Sequence, residues 1–338
     1  MFNGLDQAMS VSVIIPVYNS SSEECVKSFI GQNVREIIIV DDGSADTYPF
    51  SSALRLRETT QLSVKTIFQA HGGPASARNR GAKAAIGDVL IFTDSDCVVD
   101  KFFVSTMTRM LLSGSDVGAV SGCYALKNPE STVARFIQCW ISYQYQNMRG
   151  EIDVFASCYA AIRKKVFDEV GGFNESFKMA SGEDNDLAYR IRKAGYRILF
   201  SPSSTVYHAH PESLVRFLKQ QFWRAVWRVK LHKKHGFKQL GNGYIRKRTL
   251  LIPPAIGGLG LVMIVLLIKK IVSLPIFVLS LLGSLVVANG NFTRYAYKYL
   301  NSVKMASFCF VLRSLMITVW IFGGIYGTIK FARSTRKG

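Results

Sequence analysis

Apolar residues in the first hundred positions come in short unbroken runs. Val11 to Val17 (VSVIIPV), Glu36 to Val40 (EIIIV), Ser63 to Gln69 and Asp88 to Thr93 (DVLIFT) each read as a strand buried on both faces. Helical stretches lie between them, at Glu23 to Ile30 and at Pro74 to Ala85. The second opens with proline in its first turn, where the missing N–H costs nothing. This alternation predicts an α/β fold with a mostly parallel, doubly wound sheet. Polar residues gather where the strands stop, at Tyr18-Asn19, Asp41-Asp42-Gly43-Ser44 and Asp94-Ser95-Asp96. Open α/β sheets bind their ligands at such ends.

The pattern then loosens. Val117 to Tyr124 and Phe155 to Ile162 read as strands, and Thr132 to Met148 as an aromatic helix. Glu183 to Ala194 is an amphipathic helix, opened by Ser181-Gly182 and closed by Gly195. Short strands follow at Arg197 to Phe200 and Thr205 to His208, then a long basic helix rich in aromatics at Leu214 to His235. Beyond it the chain turns apolar. Leu250 to Ile268 and Ile271 to Ala288 each suffice to cross a hydrocarbon core of roughly 30 Å, and Lys269-Lys270 between them predicts a tight hairpin. Met305 to Ile329 is a third apolar stretch, carrying Arg313 and several glycines, that either spans or lies in the interface. The expected domains are 1–212, a catalytic α/β domain; 213–249, a basic interfacial region; and 250–338, a membrane domain.

Charge sharpens this division. The last carboxylate is Glu212, and residues 213–338 carry 21 of the 42 Lys and Arg and no acid at all. The net charge of +19 therefore belongs to the C-terminal part. A near-neutral globular part followed by a basic apolar one points to an anionic membrane surface and away from nucleic acid. The six cysteines, at 25, 97, 123, 139, 158 and 309, show neither C-x-x-C nor zinc spacing and read as reduced thiols. Met1 to Ser10 is short and polar and lacks the pattern of a signal peptide, so the expectation is an integral membrane protein with a cytoplasmic N-terminal domain. Three full spans would put Lys330, Arg333, Arg336 and Lys337 outside; two spans and an interfacial third segment keep them inside, which the positive-inside tendency prefers.

A D-x-D alone can be a helix cap. Asp94-Ser95-Asp96, however, ends an apolar strand, where carboxylates serve no core and suit a divalent ion bound together with phosphate oxygens. Taken in order, VSVIIPVYN at 11–19, DDGS at 41–44, ASARNRGAKAA at 75–85, DSD at 94–96 and GEDNDLAYR at 182–190 resemble the family 2 glycosyltransferases of the GT-A fold, over about residues 11–235. The resemblance implies an inverting transfer from a nucleotide-sugar, with Mg²⁺ or Mn²⁺ as cofactor. It implies that Pro16 and Tyr18 line the base pocket, that Asp42 bonds the nucleobase, and that Asp41 supports the strand end. Arg78 would face the nucleotide, Asp94 would lie near the ribose, and Asp96 would ligate the metal, with His208 completing that site in the manner of several GT-A enzymes. Asp184 would be the general base and Glu183 would orient it or contact the acceptor; Asp186, two residues on, reads as first-turn helix stabilisation. A UDP-sugar is the expected donor, since Asp42 suits uracil, although guanine is not excluded.

Gln221-Phe222-Trp223-Arg224 resembles the Q-x-x-R of processive polysaccharide synthases, and Gln221 and Arg224 would contact the diphosphate. Ala225 stands where those enzymes carry a tryptophan that stacks on the acceptor, which speaks against processivity. Read without the resemblance, the same segment is an interfacial helix with Phe217, Phe222, Trp223 and Trp227 in the headgroups. The expectation is transfer to a lipid-linked or membrane-bound acceptor at the cytoplasmic leaflet. The alternatives are a processive synthase, a polyprenyl-phosphate glycosyl synthase, which Cys97-Val98-Val99 after the D-x-D fits poorly, and a non-catalytic adaptor, which would tolerate loss of Asp94, Asp96 or Asp184. A nucleotidyltransferase lacks support, because no glycine-rich basic phosphate loop follows the first strand.

Overall fold

The computed structural model describes residues 9–45, 62–146, 148–177, 182–236 and 247–332. Most of the polar N-terminal segment, Ser181, and the basic residues Arg333, Arg336 and Lys337 lie outside the described residues. The chain divides into two compact units, 1–127 with 148–209, and 128–147 with 210–338.

The first unit is built on one sheet. In chain order its elements are β1 (Val11–Val17), α1 (Glu23–Lys27), β2 (Glu36–Asp41), β3 (Val64–Phe68), α2 (Pro74–Ala84), β4 (Val89–Thr93), β5 (Cys97–Val99), α3 (Phe103–Leu111) and β6 (Val117–Leu126). After α4 (Thr132–Tyr145), which belongs to the second unit, come β7 (Glu151–Ile152), β8 (Tyr159–Arg163), α5 (Lys164–Glu169), α6 (Glu183–Lys193) and β9 (Arg197–His208). The strand order is β3-β2-β1-β4-β8-β6-β9-β5, with β7 on β9. Pairings from β3 to β4 are parallel, as the unbroken apolar runs predict. The other half is mixed: β8 lies antiparallel between β4 and β6, and β5 and β7 are antiparallel to β9. The sheet is therefore mixed where a mostly parallel one was expected, because β8 and the short β5 and β7 run against their neighbours.

The core is the sandwich of β1, β2 and β4 with their covering helices; Val13, Ile14, Ile15, Ile37, Ile38 and Ile91 have no exposed surface. Gly81 lets α2 approach β1 closely, since a Cβ there would sit 2.5 Å from Ile14 Cγ2. Pro16 is tolerated inside β1 for a positional reason. Val17 bonds toward β2, so Pro16 faces β4, whose ladder with β1 ends at Ile14–Phe92. No partner misses the absent N–H. The two short strands expected near residue 200 are one strand, β9, whose register against β6 shifts between Ser121 and Cys123.

The second unit contains α4, α7 (Leu214–His235), α8 (Lys247–Ile268), α9 (Leu274–Leu300) and α10 (Val303–Ala332). The expected boundary at 212 misplaces α4. Its aromatic residues meet this unit's own helices: Phe136 packs on Phe217 of α7, and Phe136, Trp140 and Tyr143 surround Phe292 of α9 at 5.3–6.0 Å between ring centroids. The same contacts carry α9 past its expected end at Ala288 to Leu300. The last three helices are long and apolar enough to cross a membrane.

Candidate active site

The expected site residues of the first unit collect at the C-terminal ends of β1, β2 and β4 and at the start of α6. Four donors converge on the buried Asp42 carboxylate. Gln69 Nε2 and the Gly72 amide donate to Oδ1 at 2.7 and 2.8 Å, the Gly73 amide donates to Oδ2 at 2.9 Å, and His71 Nδ1 stands 3.0 Å from Oδ2. Asp42 thus shapes the 69–73 loop. What it presents outward is a ring pair: the exposed Tyr18 lies against His71, centroids 4.3 Å apart. His71 escaped sequence reasoning; its only signal was a histidine beside Gly72-Gly73 after a strand. Asp41 accepts from the Ser44 amide at 2.9 Å and so closes the D-D-G-S turn, where Gly43 takes a φ of 80° open to glycine.

Arg78 was expected to face the nucleotide. The structure buries it, 3% exposed, as a bridge between two carboxylates: Nη2 donates to Asp94 Oδ1 at 2.7 Å and Nη1 to Glu183 Oε1 at 3.4 Å. Its position on the inner face of α2 and the pull of these partners draw it inward. Burial opposes its charge, but Asp94, Glu183 and Asp184 outweigh that and raise its pKa above the ordinary arginine value. Arg78 thereby ties the D-S-D turn to the start of α6. Arg80, on the outer face, is exposed.

At α6, Gly182 turns the chain with a φ of 108°, after which Glu183 and Asp184 occupy the first turn. Glu183 is 1% exposed. Burial and then the Asp184 charge hold its pKa well above the carboxylate range, with Arg78 opposing. Asp184 Oδ2 accepts from the Ser157 amide at 3.2 Å, while Oδ1 is buried without a donor among the described side chains and backbone. Ser157 contributes only its backbone and left no mark in the sequence. Asp186 takes the structural duty expected of it, accepting from Arg190 Nε at 2.9 Å one turn on.

Asp96 follows β4 with its side chain half exposed, and His208 closes β9. The β5–β9 pairing sets Cys97 opposite His208, which brings His208 Nε2 to 3.4 Å from Asp96 Oδ2. Surrounding protein raises the Asp96 pKa, His208 lowers it, and Asp94 adds to the rise. Candidate ligand atoms of Asp96, Cys97 and His208 lie within 4.8 Å of one another. Burial pushes the Cys97 thiol up, so it stays protonated and offers a hard cation little. Carboxylate oxygen and imidazole nitrogen, open to solvent on one side, are a donor set that fits Mn²⁺ or Mg²⁺ completed by phosphate oxygens. Tyr124 packs its ring 4.9 Å from that of His208, a contact that β6 supplies and sequence reasoning missed.

In the second unit, Gln221 is buried and its Oε1 accepts from Trp320 Nε1 at 3.1 Å, while Arg224 is exposed. His210 sits in this unit against Gln138 at 3.0 Å, a structural position.

A half-parallel sheet with a D-S-D turn at its ligand edge and a helix-borne Glu-Asp pair defines a GT-A glycosyltransferase fold. One structural likeness is to a mannosyltransferase from Pyrobaculum calidifontis, solved with GDP-Man and Mn²⁺: TM-score 0.64 at 19% identity, covering 95% of this chain and 89% of that one. Residues 12–171 match the model of glycosyl transferase family 2, and residues 139–212 that of the N-terminal domain of galactosyltransferase. The chain therefore carries a family 2 glycosyltransferase domain. Among curated relatives, a probable glycosyltransferase of Bacillus subtilis is 26% identical over 67% of this chain and 54% of its own length. A pre-mycofactocin glycosyltransferase of Mycobacterium tuberculosis is 29% identical over 60% and 43%. The chain thus spans about half the length of the curated relatives it matches.

Proposed function

We propose that the protein is an inverting, metal-dependent glycosyltransferase that moves a sugar from a nucleotide diphosphate donor, a UDP-sugar first, to a lipid-linked acceptor at the cytoplasmic leaflet. The observation that carries the reading is Arg78, which joins the metal turn at Asp94 to the base pair at Glu183 through one buried guanidinium. Tyr18 and His71 offer a ring platform for the base, and Asp94 keeps an oxygen for the ribose. Asp96 and His208 would hold the divalent ion, which supplies charge neutralisation on the departing diphosphate. Asp184 takes the acceptor hydroxyl's proton on its carboxylate, held from behind by the Ser157 amide. Glu183, its pKa raised by burial and by the Asp184 charge and lowered by Arg78, lies beside the base. Transfer is single-step and not processive: Ala225 faces Gly323 of α10, where a Cβ on the glycine would already come within 2.8 Å, and the stacking tryptophan of the synthases has no room.

Purified protein incubated with a panel of nucleotide-sugars and Mn²⁺ or Mg²⁺ should release diphosphate from one donor, and Asp96→Ala should abolish that release. Turnover of no donor would overturn the enzyme reading. Transfer to extracted lipids should vanish in Asp184→Asn, with donor binding intact; loss of about 10²–10⁴ in rate is the scale for a general base.

A further inference from the structure

Strand β6 breaks its register against β9 just before it reaches the site. Ser121 pairs with Phe200, and Cys123 pairs with Thr205, so residues 201–204 stand opposite Gly122 alone. A Cβ on Gly122 would lie 2.5 Å from Ser204 O, which is why glycine occupies the break. Irregularities of this kind re-aim side chains beside active sites. Past the break, Tyr124 lies opposite Val206. Side chains alternate along a strand, so Tyr124, Val206 and His208 share one face. The Tyr124 and His208 rings are 4.9 Å apart at an angle of 50°. Tyr159, which has no exposed surface, stands edge-to-face with Tyr124 at 4.7 Å and holds the ring in place.

The far end of the same side chain has a second contact. The Tyr124 hydroxyl is in hydrogen-bond contact with Cys158 Sγ. Ser157 and Cys158 are both buried and form the turn that enters β8. The Ser157 amide donates to Asp184 Oδ2 at 3.2 Å. Burial holds the Cys158 thiol well above the ordinary thiol range; Asp94 and Asp184 add to the rise, and Tyr124 and Arg78 oppose it. The thiol is therefore an uncharged partner for the hydroxyl, set among the charges of the site. Arg78 joins Asp94 to Glu183, and Tyr124 makes a second link, from His208 to the donor that holds Asp184.

We propose that Tyr124 is a positioning residue for both halves of the site: its ring fixes the plane of His208 for the metal, and its hydroxyl, through Cys158, fixes the Ser157 amide behind Asp184. The terminal torsion of a histidine is broad by itself, so a ligating imidazole takes its orientation from its neighbours. A general base has to stand within hydrogen-bond reach of the proton it accepts, and its placement is as strict. Phenylalanine would serve the first duty alone. The hydroxyl is what ties the two together. The inference rests on the proposed sugar transfer and on the fit of Asp96 and His208 to a divalent ion.

Two variants separate the duties. The purified full chain is titrated with Mn²⁺ alone, and bound ion is read from the loss of the free-ion EPR signal, with Asp96→Ala as the blank. Tyr124→Leu should weaken Mn²⁺ binding by about 10–100-fold, the scale for an outer-shell partner of a metal ligand, and Tyr124→Phe should leave it unchanged. In steady-state transfer, Tyr124→Phe should lower kcat by up to about 10²-fold, the scale for a 1 Å misplacement, with the donor KM unchanged. Cys158→Ala should do the same, and the double variant should be no slower than the slower single one. A tyrosine that only supports the fold would lose melting temperature, Mn²⁺ binding and kcat together in Phe and Leu alike, and that result overturns the proposal. So do unchanged Mn²⁺ binding in Tyr124→Leu and additive losses in the double variant. Tyr124→Val takes the place of Tyr124→Leu should the latter not fold. An unsubstituted chain that binds no Mn²⁺ overturns the role of the ring. One that binds Mn²⁺ but turns over no donor sinks the catalytic reading and the role of the hydroxyl with it, while the EPR titration still decides the ring.

Discussion

Three buried charged residues set the behaviour of the sheet unit. Arg78 has its guanidinium shared by Asp94 and Glu183, so truncating it leaves the buried Glu183 carboxyl and the part-exposed Asp94 without their common partner. Arg78→Ala should cost about 3–5 kcal/mol in denaturant unfolding, the scale for removing one member of a buried ion pair. Glu36 plays the matching part at the opposite edge of the sheet, accepting from Ser12 Oγ at 2.6 Å, Lys65 Nζ at 2.7 Å and the Ile86 amide at 2.8 Å. Burial works against its ionisation, but the Ile86, Lys65 and Ser12 donors outweigh it and lower its pKa. A lowered acid stabilises the fold fully above its ordinary pKa and gives that up as pH falls through the depressed value. Glu36→Gln should flatten the acid limb of stability against pH; an unchanged limb would refute this role. Glu183 has the reverse sign. Its pKa is raised, so the fold loses stability as pH climbs above the ordinary carboxylate value, and Glu183→Gln should relieve that loss.

At the scale of elements, close approach is bought with glycine. Gly81 sets α2 onto β1, and α2 holds Arg78 one turn before it. Gly81→Ala should therefore destabilise by about 1–3 kcal/mol through overpacking and also weaken turnover by shifting Arg78, which melting and steady-state kinetics on one preparation would show together. The α7–α10 seam depends in the same way on Gly323 and Gly327. Gly323→Leu should part the helices, expose Trp320 and Trp223, and red-shift their emission, with the sheet unit's circular dichroism unchanged; no spectral shift would mean that the seam is not a tight contact.

For the whole molecule, the apolar helices and the basic residues of α7 make opposite demands on a membrane. Driving the five basic residues of α7 at 224–234 into hydrocarbon would cost about 2.5–3.5 kcal/mol each at the bilayer centre. The apolar surfaces of α8 and α9 have the opposite preference. High salt screens the α7 charges but leaves the hairpin in place, so a wash in 1 M salt should not release the chain from membranes, whereas detergent should. Removal of 247–332 should leave a protein that high salt does release.

The sequence by itself determined the strands β1, β2, β3 and β4, because a strand buried on both faces must be apolar throughout, and it marked the carboxylates at 42, 94, 96 and 184, because acids at strand and helix ends have no part in a core. It also divided the chain by charge. Only the tertiary structure decided what those residues touch. Arg78 reaches partners 16 and 105 positions away, and periodicity along one helix carries no information about either. His208 meets Asp96 through the three-residue strand β5, too short to show a pattern, whose antiparallel register on β9 closes the gap. The aromatic helix α4 reads as part of the catalytic domain because it lies between its strands, yet its rings are satisfied by Phe217 and Phe292. Local sequence fixes which surface an element must hide, and the packing of the whole chain chooses what hides it.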